Sequence, residues 1–536
     1  MIRILLIVVA AIYAMSKIHF DLHMFQQNSY RNNRYFRWLK GSHNRFIKGN
    51  DNLTMTSCLL YIGSTYLTGA LQVSLGLLSV ALLLLSLSGH RLLVSVREVK
   101  KKLVYTPRVK RLLITTDALI ALVSISLYYF DLTFITVMGI YIMTTFSFVI
   151  VMLAKIINTP LESGINKWYY NDAKRILKEN PNRIVIGITG SYGKTSTKNV
   201  IAQALSRDFN VLATPASYNT LMGVIRTIRE QLKPTHQVFI VEMGARQSGD
   251  IKEICDLVVP DFGIITSIGP QHLETFKSIE NIIRTKGELF EGIKPGGKAF
   301  VNLADDRIKT LPKRNDIEYI GFGENVHSDS DVSKAYLSKN LNLSGHGTGF
   351  DLNFPSGITL CVNTKLLGAH NVGNVLCALS VANELGSDML RIMSSLSDIQ
   401  PTEHRLSLKR GGKGQIIIDD AFNSNPIGSK NALEVLKSMD GNKKFIITPG
   451  MVELGDQQDE LNKQFGKYIA EACDYVVLVG KNQTKPIQEG LREVGYKDSQ
   501  IHIADTFLNG YAHMELLMQH DDVMLIENDL PDSFIE

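Results

Sequence analysis

Gly187-Ile188-Thr189-Gly190-Ser191-Tyr192-Gly193-Lys194-Thr195-Ser196 holds the residue types best suited to gripping phosphate. An apolar run, Ile184-Val185-Ile186, precedes it, and Thr197–Leu205 follows as the opening turns of a helix. A glycine turn between strand and helix aims backbone N–H groups at one point, where the helix dipole also favours an anion. Lys194 adds a cation for phosphate oxygens, Thr195 a hydroxyl for Mg²⁺, and Gly190, Ser191, Gly193 and Ser196 complete the turn. Ile188 stands where the longer Walker form has its first glycine, so taken alone the loop also fits a turn with no ligand. Glu242 ends another apolar run, Phe239-Ile240-Val241, and a carboxylate there can hold Mg²⁺ beside phosphates. His272, Lys286, His370 and Arg405 sit in polar clusters, and each fits a structural role as well. Asp419-Asp420-Ala421-Phe422-Asn423-Ser424-Asn425-Pro426 follows a third apolar run and reads as a binding edge or a capped loop.

These groups need strands to carry them. From Arg183 onward short apolar runs alternate with helical stretches: Val238–Val241, Gly263–Thr266, Ala299–Val301, Ile416–Ile418, Phe445–Ile447, Val476–Val479 and Val523–Ile526. That alternation marks parallel sheets wrapped by helices, and ligands gather at the C-terminal strand ends of such sheets. Residues 305–365 read instead as short strands and turns.

The first 155 residues are different. Of 536 residues, 45% are hydrophobic and the formal charge is +5, and most of both excesses lies here. Residues 2–15 are apolar, Leu53–Gly89 has no charge, and Leu112–Tyr129 and Leu132–Ala154 are apolar runs parted by Asp131. Two basic stretches flank them, and keeping both in the cytoplasm predicts about five spans with an external N-terminus. Basic residues beside spans are explained by topology, so no nucleic acid is expected. Five scattered cysteines with no ligand-like spacing argue against a structural zinc.

In order, Gly-Ser-Tyr-Gly-Lys-Thr-Ser, Ser217-Tyr218-Asn219-Thr220, Val-Glu-Met-Gly-Ala, Gly-Pro-Gln-His-Leu-Glu, Thr-Lys-Gly-Glu-Leu-Phe, Val301-Asn302-x-Ala304-Asp305-Asp306, Gly-Ala-His-Asn and Asp-Asp-Ala-Phe-Asn-Ser-Asn-Pro resemble the Mur ligase family. That family forms amide bonds with ATP, and the resemblance covers about residues 183–530. It implies an α/β protein: a P-loop-type central ATPase domain (183–402) and a Rossmann-like C-terminal domain (403–536). A transmembrane region (1–157) and a linker helix (158–182) precede them.

The resemblance also implies roles. Lys194 contacts ATP phosphates; Thr195 and Glu242 hold one Mg²⁺ and His272 a second; Lys286 is a candidate carbamate. Asn302 lies in the adenine pocket, Arg405 and Asp420 close over the nucleotide, and Asn219, Thr220, Asn423 and Asn425 face substrate. Lys194, Lys286, His272 and Arg405 form the catalytic set. The partners are a carboxylate acceptor and a small amine, an amino acid or short peptide. Two departures bear on them. Apolar helices stand where the family has a UDP-sugar-binding domain, and Ile526-Glu527-Asn528-Asp529 replaces a Lys-Gly-Ser element.

The leading expectation is a membrane-anchored ligase on the cytoplasmic face, acting on a lipid-linked cell-envelope precursor. Glu527 and Asp529 are then candidates for reading a cation on the amine, against a solvated C-terminal loop. The runner-up is the family's peptidoglycan chemistry, joining a dipeptide to a UDP-sugar-linked peptide. A transporter or scaffold with a degenerate nucleotide site would need a damaged loop, and this loop is intact.

Overall fold

The computed structural model describes residues 1–28, 30–40, 49–96, 102–130, 132–216, 218–271, 273–324, 331–422 and 424–528. The chain divides into two units, Met1–Lys167 and Trp168–Leu530, each with its own core.

The first unit is helical: α1 (Ile2–Gln27), α2 (Asn32–Lys40), α3 (Gly49–Thr65), α4 (Gly69–Val96), α5 (Pro107–Tyr129), α6 (Thr133–Thr145) and α7 (Ser147–Leu177), the last continuing into the second unit. By length and composition α1, α4, α5 and α7 can cross a membrane, and α6 is a shorter apolar helix. The charge-free run 53–89 holds α3 and α4, which meet around residues 66–68, and of these only α4 is long and apolar enough to cross, so four candidate spans among the described residues stand against the five expected.

Two expectations change. Leu132–Ala154 is not one span but breaks at Phe146. There Thr144 Oγ1 turns back on the Ile140 carbonyl (2.8 Å), and Ser147 Oγ donates to the buried Asp21 carboxylate (2.6 Å). Such back-bonding offers the chain an alternative to the helical ladder. Residues 158–182 hold no separate linker helix, because α7 runs unbroken through Pro160. Tyr35 OH also donates to Asp21 (3.1 Å), and Lys17 pairs with Asp51 (2.9 Å).

The second unit has two sheets. The first runs β2 (Val211–Ala213), β3 (Val238–Glu242), β1 (Ile184–Thr189), β4 (Phe262–Ile265), β5 (Lys298–Asn302), β6 (Glu318–Glu324), β7 (Lys334–Ser344), β8 (Gly347–Asn353), β9 (Thr359–Thr364). Pairings are parallel as far as β7 and antiparallel across β7–β8–β9. The turn-rich stretch 305–365 therefore extends the same sheet. The second sheet runs β10 (Ser407–Arg410), β11 (Ile416–Asp420), β15 (Val523–Glu527), β12 (Lys444–Thr448), β13 (Tyr475–Val479), β14 (Ile501–Ala504), parallel except for β10. The central parallel strands β1, β3, β4, β12 and β13 are largely apolar and buried, as befits a parallel sheet covered by helices on both faces, whereas β7 and β10 are partly exposed. Tyr169, Tyr170 and Leu177 at the end of α7 pack on the core of the first sheet.

Candidate active site

β1 ends at Thr189 and helix α8 (Lys194–Leu205) begins five residues later. Gly190 has φ +150°, and a Cβ there would lie 2.1 Å from Thr266 Oγ1. Gly193, at φ +79°, caps α8 in the left-handed region. The segment after β4 staples the loop: Ser191 N–H donates to the Ser267 carbonyl (2.7 Å), and Tyr192 N–H to Ser267 Oγ (3.0 Å). The first turn of α8 presents N–H groups that no intrahelical partner takes.

Lys194 folds its ammonium back onto the carbonyls of Gly190 (2.5 Å) and Ser191 (2.9 Å). Burial lowers its pKa to about 8, with Arg405 lowering it further and Glu242 opposing. Glu242, at the buried end of β3, receives Asn219 Nδ2 at 3.0 Å on one oxygen and has the Lys198 ammonium 3.1 Å from the other. Those donors and Lys194 outweigh its burial and keep the carboxyl below its ordinary value. Lys286, on the helix Ile279–Glu291, is 3% exposed. Burial, and then the nearby Lys194, push its pKa well below the ordinary lysine value, which favours the neutral amine.

Arg405 reaches across from the start of the second sheet. Its guanidinium donates to Thr195 Oγ1 (3.4 Å) and lies over the Phe422 ring (4.7 Å). His404 (φ +58°) and Leu406 (φ +49°), on either side of it, are both left-handed, backbone strain of the kind that collects at functional sites. Asp420 accepts from Leu406 N–H (3.2 Å) and pairs in register with Glu527 on β15. Burial raises both carboxyls above their ordinary range; the Asp420 charge raises Glu527 further, while Arg405, the Leu406 N–H and the hydrogen bond from Glu527 oppose the rise at Asp420. Glu527 is thus a buried strand end, 1% exposed, with Ser424 Oγ donating to it (2.7 Å), and not a solvated loop.

A cleft of about 300 Å³ opens beside the loop. Gly193, Ser196, Asn302, Arg405, Asp420 and Asn425 line it. Asn302 is fixed by donating to the Thr266 carbonyl (2.8 Å) and accepting Ala304 N–H (3.0 Å). Lys194, Thr195, Glu242, Lys286, Asn219 and Thr220 lie off this wall. Thr220 and Asn425 are also helix N-caps, accepting from Gly223 and Gly428 N–H. His272, Asn423 and Asp529 fall outside the described residues.

Three further residues carry the site. His370 and Asn374 line the cleft, and Asn374 accepts from Thr197 Oγ1 (2.6 Å). Burial lowers the His370 pKa to about 4 and leaves the ring neutral. His370 belongs to the Gly-Ala-His-Asn run, and Asn374 lies one helical turn beyond its last residue. Lys198 had no signal, since only the fold sets it against Glu242.

One hydroxyl and one carboxylate, with phosphate oxygens to complete the shell, suit Mg²⁺. Thr195 and Glu242 supply that pair, while no cluster of three metal-ligating side chains occurs among the described residues.

Comparison with known proteins places this arrangement. Residues 188–382 match the Mur ligase middle domain, and residues 404–527 the Mur ligase glutamate ligase domain. The UDP-N-acetylmuramoyl-tripeptide–D-alanyl-D-alanine ligase of Buchnera aphidicola (Acyrthosiphon pisum) is 30% identical over 331 residues, 60% of this chain and 71% of that protein. The Bacillus subtilis ligase of the same name is 31% identical over 311 residues, 58% of this chain, which spans 65% of that relative's length. Among solved structures, MurF from Acinetobacter baumannii superposes with a TM-score of 0.59 at 25% identity, covering 69% of this chain and 78% of that one. The chain belongs to the Mur ligase family.

Proposed function

We propose that the protein is an ATP-dependent ligase that joins a carboxylate to an amine through an acyl phosphate. The observation that carries this reading is the convergence of Lys194, Thr195, Glu242 and Arg405 around the glycine loop. A carboxylate is a poor electrophile, so its oxygen first attacks the γ-phosphorus of ATP; an O–P bond forms as ADP leaves. The amine then attacks the acyl carbon, the C–N bond forms, phosphate departs, and the amine's extra proton passes to solvent or a nearby base. Charge builds on the transferring phosphoryl group, and Lys194 with the first-turn N–H groups of α8 is placed to stabilise it. Thr195 and Glu242 would hold Mg²⁺, which neutralises phosphate charge. A neutral Lys286 amine can add CO₂ with loss of a proton, and the carbamate would attract Lys194 where the ammonium repels it.

The relatives' names favour a UDP-muramoyl-tripeptide acceptor and a D-alanyl-D-alanine amine in peptidoglycan synthesis. A second reading, a lipid-linked acceptor met at the cytoplasmic membrane face, is motivated by the four long apolar helices, which lie before both family matches. Anchoring raises the local concentration of membrane-bound partners only. The relatives' names give this reading no support. The full-length protein, given ATP and D-alanyl-D-alanine, should convert UDP-muramoyl-tripeptide to the pentapeptide by mass spectrometry. Turnover confined to a lipid-linked tripeptide would favour the second reading, and no amide product from either acceptor would overturn both.

A further inference from the structure

Lys198 lies one turn beyond Lys194 on α8 and is 1% exposed. Its ammonium donates to the Ala216 carbonyl (2.7 Å) and sits 3.1 Å from Glu242 Oε2. The other oxygen of Glu242 is taken by Asn219, and the Thr195 hydroxyl by Arg405. Both donors assigned to the metal are therefore engaged by the protein's own groups, and the nearest charges, Lys194, Lys198 and Arg405, are all positive. A buried ion pair at this distance is strong because little solvent screens it. A free dication would have to displace Lys198 from Glu242 and would meet two more cations, whereas nucleotide phosphates bring the negative charge that Lys194 and Arg405 can turn to.

We infer that Lys198 is a positioning residue that competes with the metal for Glu242, so that divalent metal enters the site only together with nucleotide. This rests on Glu242 being a metal ligand. It also makes Lys198 a link to the acceptor side, since the same ammonium holds Ala216, a left-handed residue (φ +43°) three positions before Asn219.

The sign of the effect separates this role from a merely structural one. A structural loss would weaken metal binding, while removal of a competitor strengthens it. The test is Mn²⁺ binding to the full-length protein in detergent, followed by the electron paramagnetic resonance signal of free Mn²⁺, with ADP affinity measured in parallel. Without nucleotide, Lys198→Met should bind Mn²⁺ at least about tenfold more tightly than the unaltered protein. Lys198→Gln, which keeps a donor for Ala216 without the charge, should do the same if the methionine variant is unstable. Lys198→Arg should behave as the unaltered protein. Unchanged or weaker Mn²⁺ binding in a folded neutral variant overturns the inference and leaves the ligase reading standing. If ADP affinity of the unaltered protein does not depend on Mn²⁺, the assignment of Glu242 to metal fails, and this inference with it.

Discussion

Lys194 and Lys286 are both lysines in buried surroundings, yet their neighbours set them different tasks. Lys194 has Glu242 nearby and keeps a pKa of about 8, so it is largely charged at neutral pH and fit to meet phosphate. Lys194→Ala should cut ATP-dependent phosphate release about a hundredfold or more, the scale expected for losing a transition-state electrostatic partner. A malachite green assay checks it, and circular dichroism should show the helices intact. Burial, and then the nearby Lys194, hold the Lys286 pKa well below its ordinary value, and the neutral amine is the form that takes up CO₂. Lys286→Ala should lose activity about as severely and regain part of it with added short carboxylates, which can fill the anionic position. A lysine acting as a cation would show no such rescue.

At the scale of elements, the glycine loop and the apolar strands were legible because each is local. Period and turn chemistry place β1, β3, β4, β5, β11, β12, β13 and β15 from the sequence, while β2, β10 and β14, three or four residues each, lie outside those apolar runs. What was illegible depends on partners far away in the chain. Ser147, just after the break at Phe146, bonds to Asp21 126 residues away; the role of Lys198 needs Glu242; and Glu527 is paired by β11 beside β15.

That last pairing has a consequence for stability. Asp420 and Glu527 hold a proton in the folded state at a pH where the unfolded chain has released it. The folded protein therefore binds more protons, and stability present below the ordinary carboxylate range is lost as pH rises through the raised value. Glu527→Gln, whose amide oxygen can still accept from Ser424, should show a shallower fall in melting temperature between pH 5 and pH 7.5, pH values chosen to bracket that transition. An unchanged slope would mean the pair is not protonated.

For the molecule as a whole, the boundary lies inside α7. Trp168–Leu530 forms one unit, and Arg229 stacks over the Trp168 (5.0 Å) and Tyr169 (4.2 Å) rings while pairing with Asp172 (2.8 Å). Tyr169 and Tyr170 pack on the core of this unit. A chain beginning at residue 168 should thus melt at least about 5 °C above one beginning at residue 178, since the shorter chain loses these aromatic contacts. Differential scanning fluorimetry reads the difference directly.

The central claim, ligation through an acyl phosphate, is tested most directly by isotope transfer. Full-length protein is given ATP, D-alanyl-D-alanine and UDP-muramoyl-tripeptide labelled with ¹⁸O in its terminal carboxylate, with a lipid-linked tripeptide labelled in the same way as the second acceptor. The account predicts that the phosphate released with the amide product carries one ¹⁸O atom from the carboxylate. Amide formed with unlabelled phosphate, or phosphate released with no amide, would contradict it.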